Sequence, residues 1–110
     1  MNLDAWKSQL RKGAAELAVL AVLERNEDYG IAILQKIEAG EGLGVSEGSL
    51  YPLLKRLEGA NRIASKWVDA GDGTAPRKYY ALTKDGRAAL KDMRKHWYAF
   101  QDQMTQIVEG

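Results

Sequence analysis

Residues 46–82 read SEGSLYPLLKRLEGANRIASKWVDAGDGTAPRKYYAL, and this run decides the fold. At about 100° per residue, Leu50, Leu53, Leu54 and Leu57 gather on one side of a helix. Gly48, Tyr51, Pro52, Lys55 and Arg56 gather on the other. A helix that buries leucines and presents a small residue, an aromatic and two cations can enter a DNA major groove. After it, Ile63–Val68 and Arg77–Leu82 have the β-branched and aromatic content of strands, joined by a Gly/Asp/Pro loop over 69–76. Lys66, Arg77 and Lys78 stand at the base of this hairpin, where a wing meets the adjacent phosphates. The pattern predicts a mostly α fold with a two-stranded β-wing, a winged helix-turn-helix.

Upstream, Asp28 is a plausible N-cap for a helix over Tyr29–Ala39, with Ile33 and Ile37 towards the core and Ile31 and Leu34 on its flanks. Gly40-Glu41-Gly42-Leu43-Gly44 ends that helix and forms the turn before the reading helix, whose expected N-cap is Ser46. Gly13–Arg25 is apolar almost all round, as a central helix is. Leu3, Trp6 and Leu10 suggest a short amphipathic helix or a preceding arm. Pro52 is anomalous, because an interior proline loses the bond to residue i−4 and crowds its carbonyl. Either Gly48 absorbs the strain, or the regular helix starts nearer Ser49 and Pro52 sits in its first turn.

Charge is informative by its placement. The total is +1, but residues 1–54 carry 5 Lys/Arg against 8 Asp/Glu, and residues 55–87 carry 8 against 4. The positive segment coincides with the expected reading helix and wing.

Enzymatic and metal chemistry find little support. There is no cysteine, and His96, beside Lys95 and Trp97, is the single histidine. No Ser-His-Asp motif or metal-ligand spacing accompanies it. GEGLG at 40–44 follows no strand and reads as a loop. No cofactor is expected. Neither a run of 18 apolar residues nor a signal-peptide h-region is present. The expected setting is therefore the cytoplasm, without a membrane partner.

Thr83 is the expected N-cap of a last helix, with Asp85 in its first turn. Along that helix Leu90, Met93, Trp97, Phe100, Met104 and Ile107 recur at intervals of 3, 4, 3, 4 and 3. That is an a/d stripe of nearly three heptads. Either the Leu3/Trp6/Leu10 face covers it within one chain, or the last helices, with the first ones, pair across a two-fold axis. The organisation expected is a DNA-binding unit over 1–82 and a dimerisation helix over 83–110, forming one compact unit.

The chain resembles the PadR family of bacterial transcriptional regulators. The resemblance is carried by Tyr29-Gly30, SLYPLLKRLE at Ser49–Glu58, Ile63 five residues on, and RKYYALTKDG at Arg77–Gly86. The short last helix is similar to that of the compact subgroup. The resemblance implies a homodimeric repressor of an inverted-repeat operator, released by a small planar or aromatic compound. It further implies a pocket at the dimer centre for which Trp97 is the matching tryptophan, with Met93, Phe100 and Trp6 as neighbouring candidates. An ordinary core role for Trp97 stands beside that implication. Many members have a basic or glycine-rich wing tip, whereas Asp69 and Asp72 flank it here. Carboxylates repel phosphates, which places the wing contacts at Lys66, Arg77 and Lys78.

The expected partners are thus double-stranded DNA and a second copy of the chain. Ser46, Ser49, Tyr51, Lys55 and Arg56 are the reading-helix contacts, and Tyr29 and Lys36 add phosphate contacts from the preceding helix. Two other readings keep the same fold: a winged helix used for protein–protein contact, and a ligand-binding dimer without specific DNA recognition.

Overall fold

A computed structural model describes all residues, Met1–Gly110. Helices α1 (Asp4–Lys12) and α2 (Ala14–Arg25) are followed by strand β1 (Asp28–Tyr29) and helix α3 (Gly30–Glu38). Next come helix α4 (Glu47–Gly59), strands β2 (Ile63–Val68) and β3 (Arg77–Leu82), and helix α5 (Lys84–Glu109). The core is built from Val19, Leu20 and Leu23 of α2, Ile33 and Ile37 of α3, and the four leucines of α4, closed by Ile63, Tyr80 and Leu90. The leucine face of α4 is therefore buried as its periodicity requires. Helix α2 is the central element, packed against α1, α3, α5 and β3.

The hairpin has the expected bounds, but the sheet is larger than a two-stranded wing. Strand β1 joins the other edge of β3, giving the antiparallel order β1-β3-β2. Asp28 pairs with Tyr80 and Tyr29 with Tyr79. This pairing corrects the expected start of α3. Asp28 is held extended in a strand and caps no helix; Tyr29 takes the N-cap position, and the helix begins at Gly30. The Asp28 carboxylate instead accepts from the Tyr29 amide and from the Lys36 ammonium.

Ser46 caps α4 as expected, in a reciprocal box. Its hydroxyl accepts from the Ser49 amide at 3.3 Å, and its own amide donates to the Ser49 hydroxyl at 3.1 Å. Because α4 is regular from Glu47, Pro52 lies inside the helix rather than in its first turn. The carbonyl left without its usual partner belongs to Gly48, an exposed residue, where water can satisfy it.

Helix α5 starts on a close contact. Thr83 caps it by accepting from the Gly86 amide at 2.9 Å and donates its hydroxyl to the Asn61 carbonyl at 2.6 Å. A Cβ on Gly86 would fall 1.9 Å from the Arg62 carbonyl oxygen, so only glycine lets α5 seat against the end of α4. Beyond Arg94 every residue of α5 is exposed. Trp97 keeps 36 % of its surface accessible, Phe100 54 %, Met104 41 % and Ile107 62 %. Leu3, Trp6 and Leu10 of α1 are exposed as well. Within one chain, the two apolar faces do not cover each other. No helix is long and apolar enough to cross a membrane.

Candidate nucleic-acid interface

Helix α4 exposes Gly48, Tyr51, Pro52, Lys55 and Arg56 and keeps its leucines inside. Its period divides this outer surface into three strips. Gly48, Pro52 and Lys55 form the crest. Tyr51 and Glu58 lie on the flank towards the wing, Glu58 through its contacts with Ser65 and Lys78, and Ser49 and Arg56 line the flank towards α1. Each flank borders a concave surface.

The wing-side groove runs between Tyr51, the start of α3, and Trp67, Arg77 and Lys78 of the wing. Gly30 makes it possible, since a Cβ there would lie 2.7 Å from both Cε1 and the hydroxyl of Tyr51. Tyr29 meets Tyr79 edge-on at 5.4 Å, and the Arg77 guanidinium lies 4.5 Å above the Tyr29 ring. Cross-strand pairing of Trp67 with Lys78 puts both on one face of the hairpin, while Lys66, opposite Tyr79, is on the other. The exposed indole of Trp67 at this groove has no distinguishing signal in the sequence, where an alternating strand leaves its outward face undecided.

A brace holds the wing to the helix. Glu58 accepts from the Ser65 hydroxyl and attracts the Lys78 ammonium, 3.9 Å away. Together with burial, which acts first, the Glu58 charge pushes the Tyr80 phenol above its ordinary range. At the wing tip, Asp69 accepts from the Gly71 amide, and Asp72 from the amide and hydroxyl of Thr74. The Thr74 hydroxyl, and after it the Thr74 amide, hold Asp72 below the usual carboxylate range. Both acidic residues shape the turn that the hairpin needs.

Carboxylates engage several of the predicted cations. Lys36 pairs with Asp28, Lys66 with Glu27 at 3.3 Å, and Lys78 with Glu58. Lys55, Arg56 and Arg77 make no ion pair, and Lys55 and Arg56 project from α4 itself. The hydroxyls of Ser46 and Ser49 are used in the capping box, although each keeps acceptor capacity.

Glu38 is a residue of this region that sequence reasoning misses. Its carboxylate accepts from the amides of Leu43 (2.9 Å), Gly44 (2.9 Å) and Val45 (3.2 Å), wrapping the turn before α4 around one side chain. Burial raises its pKa, but these three amides, aided by the Arg11 charge, outweigh that and leave it lowered. Gly40, Gly42 and Gly44 take positive φ in this turn. Five residues containing three glycines ahead of an N-cap announce a turn; they do not announce which acceptor organises it.

Of the other expected site residues, Met93, Trp97 and Phe100 line an open groove between α5 and the start of α2, beside Gly13 and Leu17. Trp97 and Phe100 are stacked with ring centroids 6.3 Å apart. Trp6 does not line this groove.

Residues 19–92 match the transcriptional regulator PadR-like family. A transcriptional regulator of Mycobacterium tuberculosis is 36 % identical over 87 residues, covering 79 % of this chain and 78 % of its own. Among solved structures, a PadR-like transcriptional regulator from Bacillus cereus superposes with a TM-score of 0.82 at 29 % identity, over 93 % of this chain and 98 % of that one. A PadR family transcriptional regulator from Eggerthella lenta gives 0.79 at 34 % identity, over 92 % and 87 %. These relatives are transcription regulators rather than enzymes. The Tyr29-Gly30 pair, the α4 leucine face and the β3–α5 junction, singled out from the sequence, all fall within the matched segment, and the chain belongs to the PadR-like family of transcriptional regulators.

Proposed function

We propose that the chain acts as a homodimeric, cytoplasmic repressor that places α4 of each copy in the major groove at an inverted-repeat operator. Residues 1–82 form the DNA-binding part and 83–110 the dimerisation helix. One observation carries this reading: Lys55 and Arg56 stand exposed and unpaired on a helix whose opposite face is wholly buried. A helix about 10–12 Å across fits a major groove about 12 Å wide. Tyr51 offers a ring and a hydroxyl to a thymine methyl or a phosphate. Arg77 and Tyr29 reach the backbone from the wing side, and Ser46 and Ser49 offer acceptor atoms at the start of α4. Lys36, Lys66 and Lys78 also face outward, but a phosphate must displace their carboxylates first.

The test is duplex binding as a function of salt. Lys55→Ala with Arg56→Ala should weaken binding to operator and random duplex alike and lower the slope of log K against log[salt] by roughly one unit per phosphate given up. Unchanged affinity and slope would remove α4 as the reading element. Failure of the wild type to bind any duplex would favour a protein-contact role for the winged helix.

The stacked Trp97–Phe100 pair supports a second element of the reading, release by a planar aromatic compound. Each added stack contributes about 0.5–1.5 kcal/mol beyond area burial. Planar dyes should quench tryptophan fluorescence and lower operator affinity in the wild type, and do neither in Trp97→Phe. Equal responses would leave Trp97 as an ordinary apolar residue of the α5 stripe.

A further inference from the structure

The cations around α4 divide unevenly. On the wing side, Glu27, Asp28 and Glu58 pair with Lys66, Lys36 and Lys78, and Arg77 alone has no ion pair. On the other side, a cleft between α1, the turn and α4 is bordered by Arg11, Lys12 and Arg56, together with Ser8, Gln9 and Ser49. No carboxylate lines it, and none of its three cations has an ion-pair partner. Glu38 attracts Arg11, but its oxygens are engaged by the turn amides. Arg11 is seated rather than loose, since a Cβ on Gly44 would come 2.6 Å from its Nη1.

Three like charges converging on a concave surface repel one another until a polyanion fills it. A helix that fills a major groove has one phosphate strand on each flank. The wing-side flank of α4 faces one strand, and the α1-side flank faces the other. We propose that Arg11 and Lys12 of α1, with Arg56 of α4, form a second backbone site that holds the phosphates of the strand opposite the wing. This rests on the reading of α4 as a groove-entering helix. It gives α1, otherwise an apolar face without a partner in its own chain, a direct part in DNA binding.

Phosphate contacts carry no base preference, so a random-sequence duplex of about 30 base pairs is a sufficient probe. Arg11→Gln with Lys12→Gln should weaken binding to random duplex and to a selected inverted repeat by the same factor. The slope of log K against log[salt] should fall by roughly 0.9 for each phosphate no longer neutralised. Arg11 also rests on the turn, so Lys12→Gln, at an exposed residue without an ion pair, is the second variant. It should lower the slope by the share of a single phosphate, with an unchanged melting temperature. A wild-type slope retained by both variants overturns the site. So does micromolar binding of inorganic pyrophosphate that the variants lose while their duplex slope stays put, since the cleft would then serve a small anion. A wild type that binds no duplex at low salt overturns the α4 reading and this site with it, an outcome distinct from either of the others.

Discussion

The two halves of α5 carry one heptad stripe and live in different surroundings. From Lys84 to Arg94 the stripe belongs to the chain's own core: Leu90 is fully buried, Gly86 lies against the Arg62 carbonyl, and Met93 packs on the core cluster. From Lys95 to Gly110 the same spacing continues with every residue exposed. Arg94 marks the border, with its guanidinium on the Glu24 carboxylate of α2 at 2.7 and 3.4 Å. Periodicity therefore reports that a face must be covered, and is silent about which molecule covers it. That information lies in the reach of the neighbouring elements, here an α2 whose start, near Gly13 and Leu17, is the part beside Trp97 and Phe100.

The largest effect should come from the inner half. Leu90→Ala removes a fully buried side chain from the core and should cost about 2–5 kcal/mol of folding stability. Denaturant melts will show it as a lower midpoint at any protein concentration. A loss that vanished on raising the concentration would mean that the inner half, too, is an interface.

Phe100→Asp probes the outer half and should act in the opposite manner. It leaves the core of the single chain untouched, but puts an unpaired charge where a partner's apolar face is expected, at a cost of several kcal/mol to association. Sedimentation should show dissociation with helical content retained, and operator binding should fall with the dimer. A soluble dimer of wild-type mass would erase the distinction between the halves.

The border should give the smallest effect. The Glu24–Arg94 pair is exposed on both sides, so Arg94→Ala should lower the melting temperature only slightly at neutral pH. The hydrogen bond from Arg94 holds Glu24 below its ordinary pKa. Stabilisation of this sign is present above the unfolded-state pKa and is lost as the pH falls through the lower folded one. The gap between wild type and Arg94→Ala should therefore close on acidification below about pH 4.5. A gap that persisted there would show that Arg94 acts through packing of its alkyl stem.

Much of this architecture is legible in the sequence because it rests on local chemistry. The leucines of α4, the Ser46 and Thr83 caps and the bounds of β2 and β3 follow from periodicity and hydrogen-bonding side chains a few residues apart. Strand β1 escapes because two residues carry no period, and its pairing with β3 spans about fifty residues of chain. The same pairing moves Asp28 from a cap into a strand, since an acidic residue before an apolar run suits either role. Of the proposed interface, the part on α4 is legible, where the exposure of Lys55 and Arg56 follows from the face they occupy. The part around it is less so. Counting charge along the chain makes the first half acidic and the wing basic, but folding brings Glu27 and Asp28 onto Lys66 and Lys36 and leaves Arg11 and Lys12 beside Arg56. Net charge by segment is a poor guide once segments from opposite ends of the chain become neighbours.

The tight seat of Gly86 has a mechanical consequence. Thr83 and Gly86 tie the first turn of α5 to the Asn61–Arg62 corner just after α4, so a tilt of the long helix bears directly on the end of α4. A rod of 26 residues is about 39 Å long at 1.5 Å per residue. Tilting such a rod by about 5° at its free end swings its anchored end through about 3.4 Å, the rise of one base-pair step along a strand. In the proposed dimer, an adjustment where the outer halves of two such rods meet would be geared into the register of the two α4 helices along a duplex.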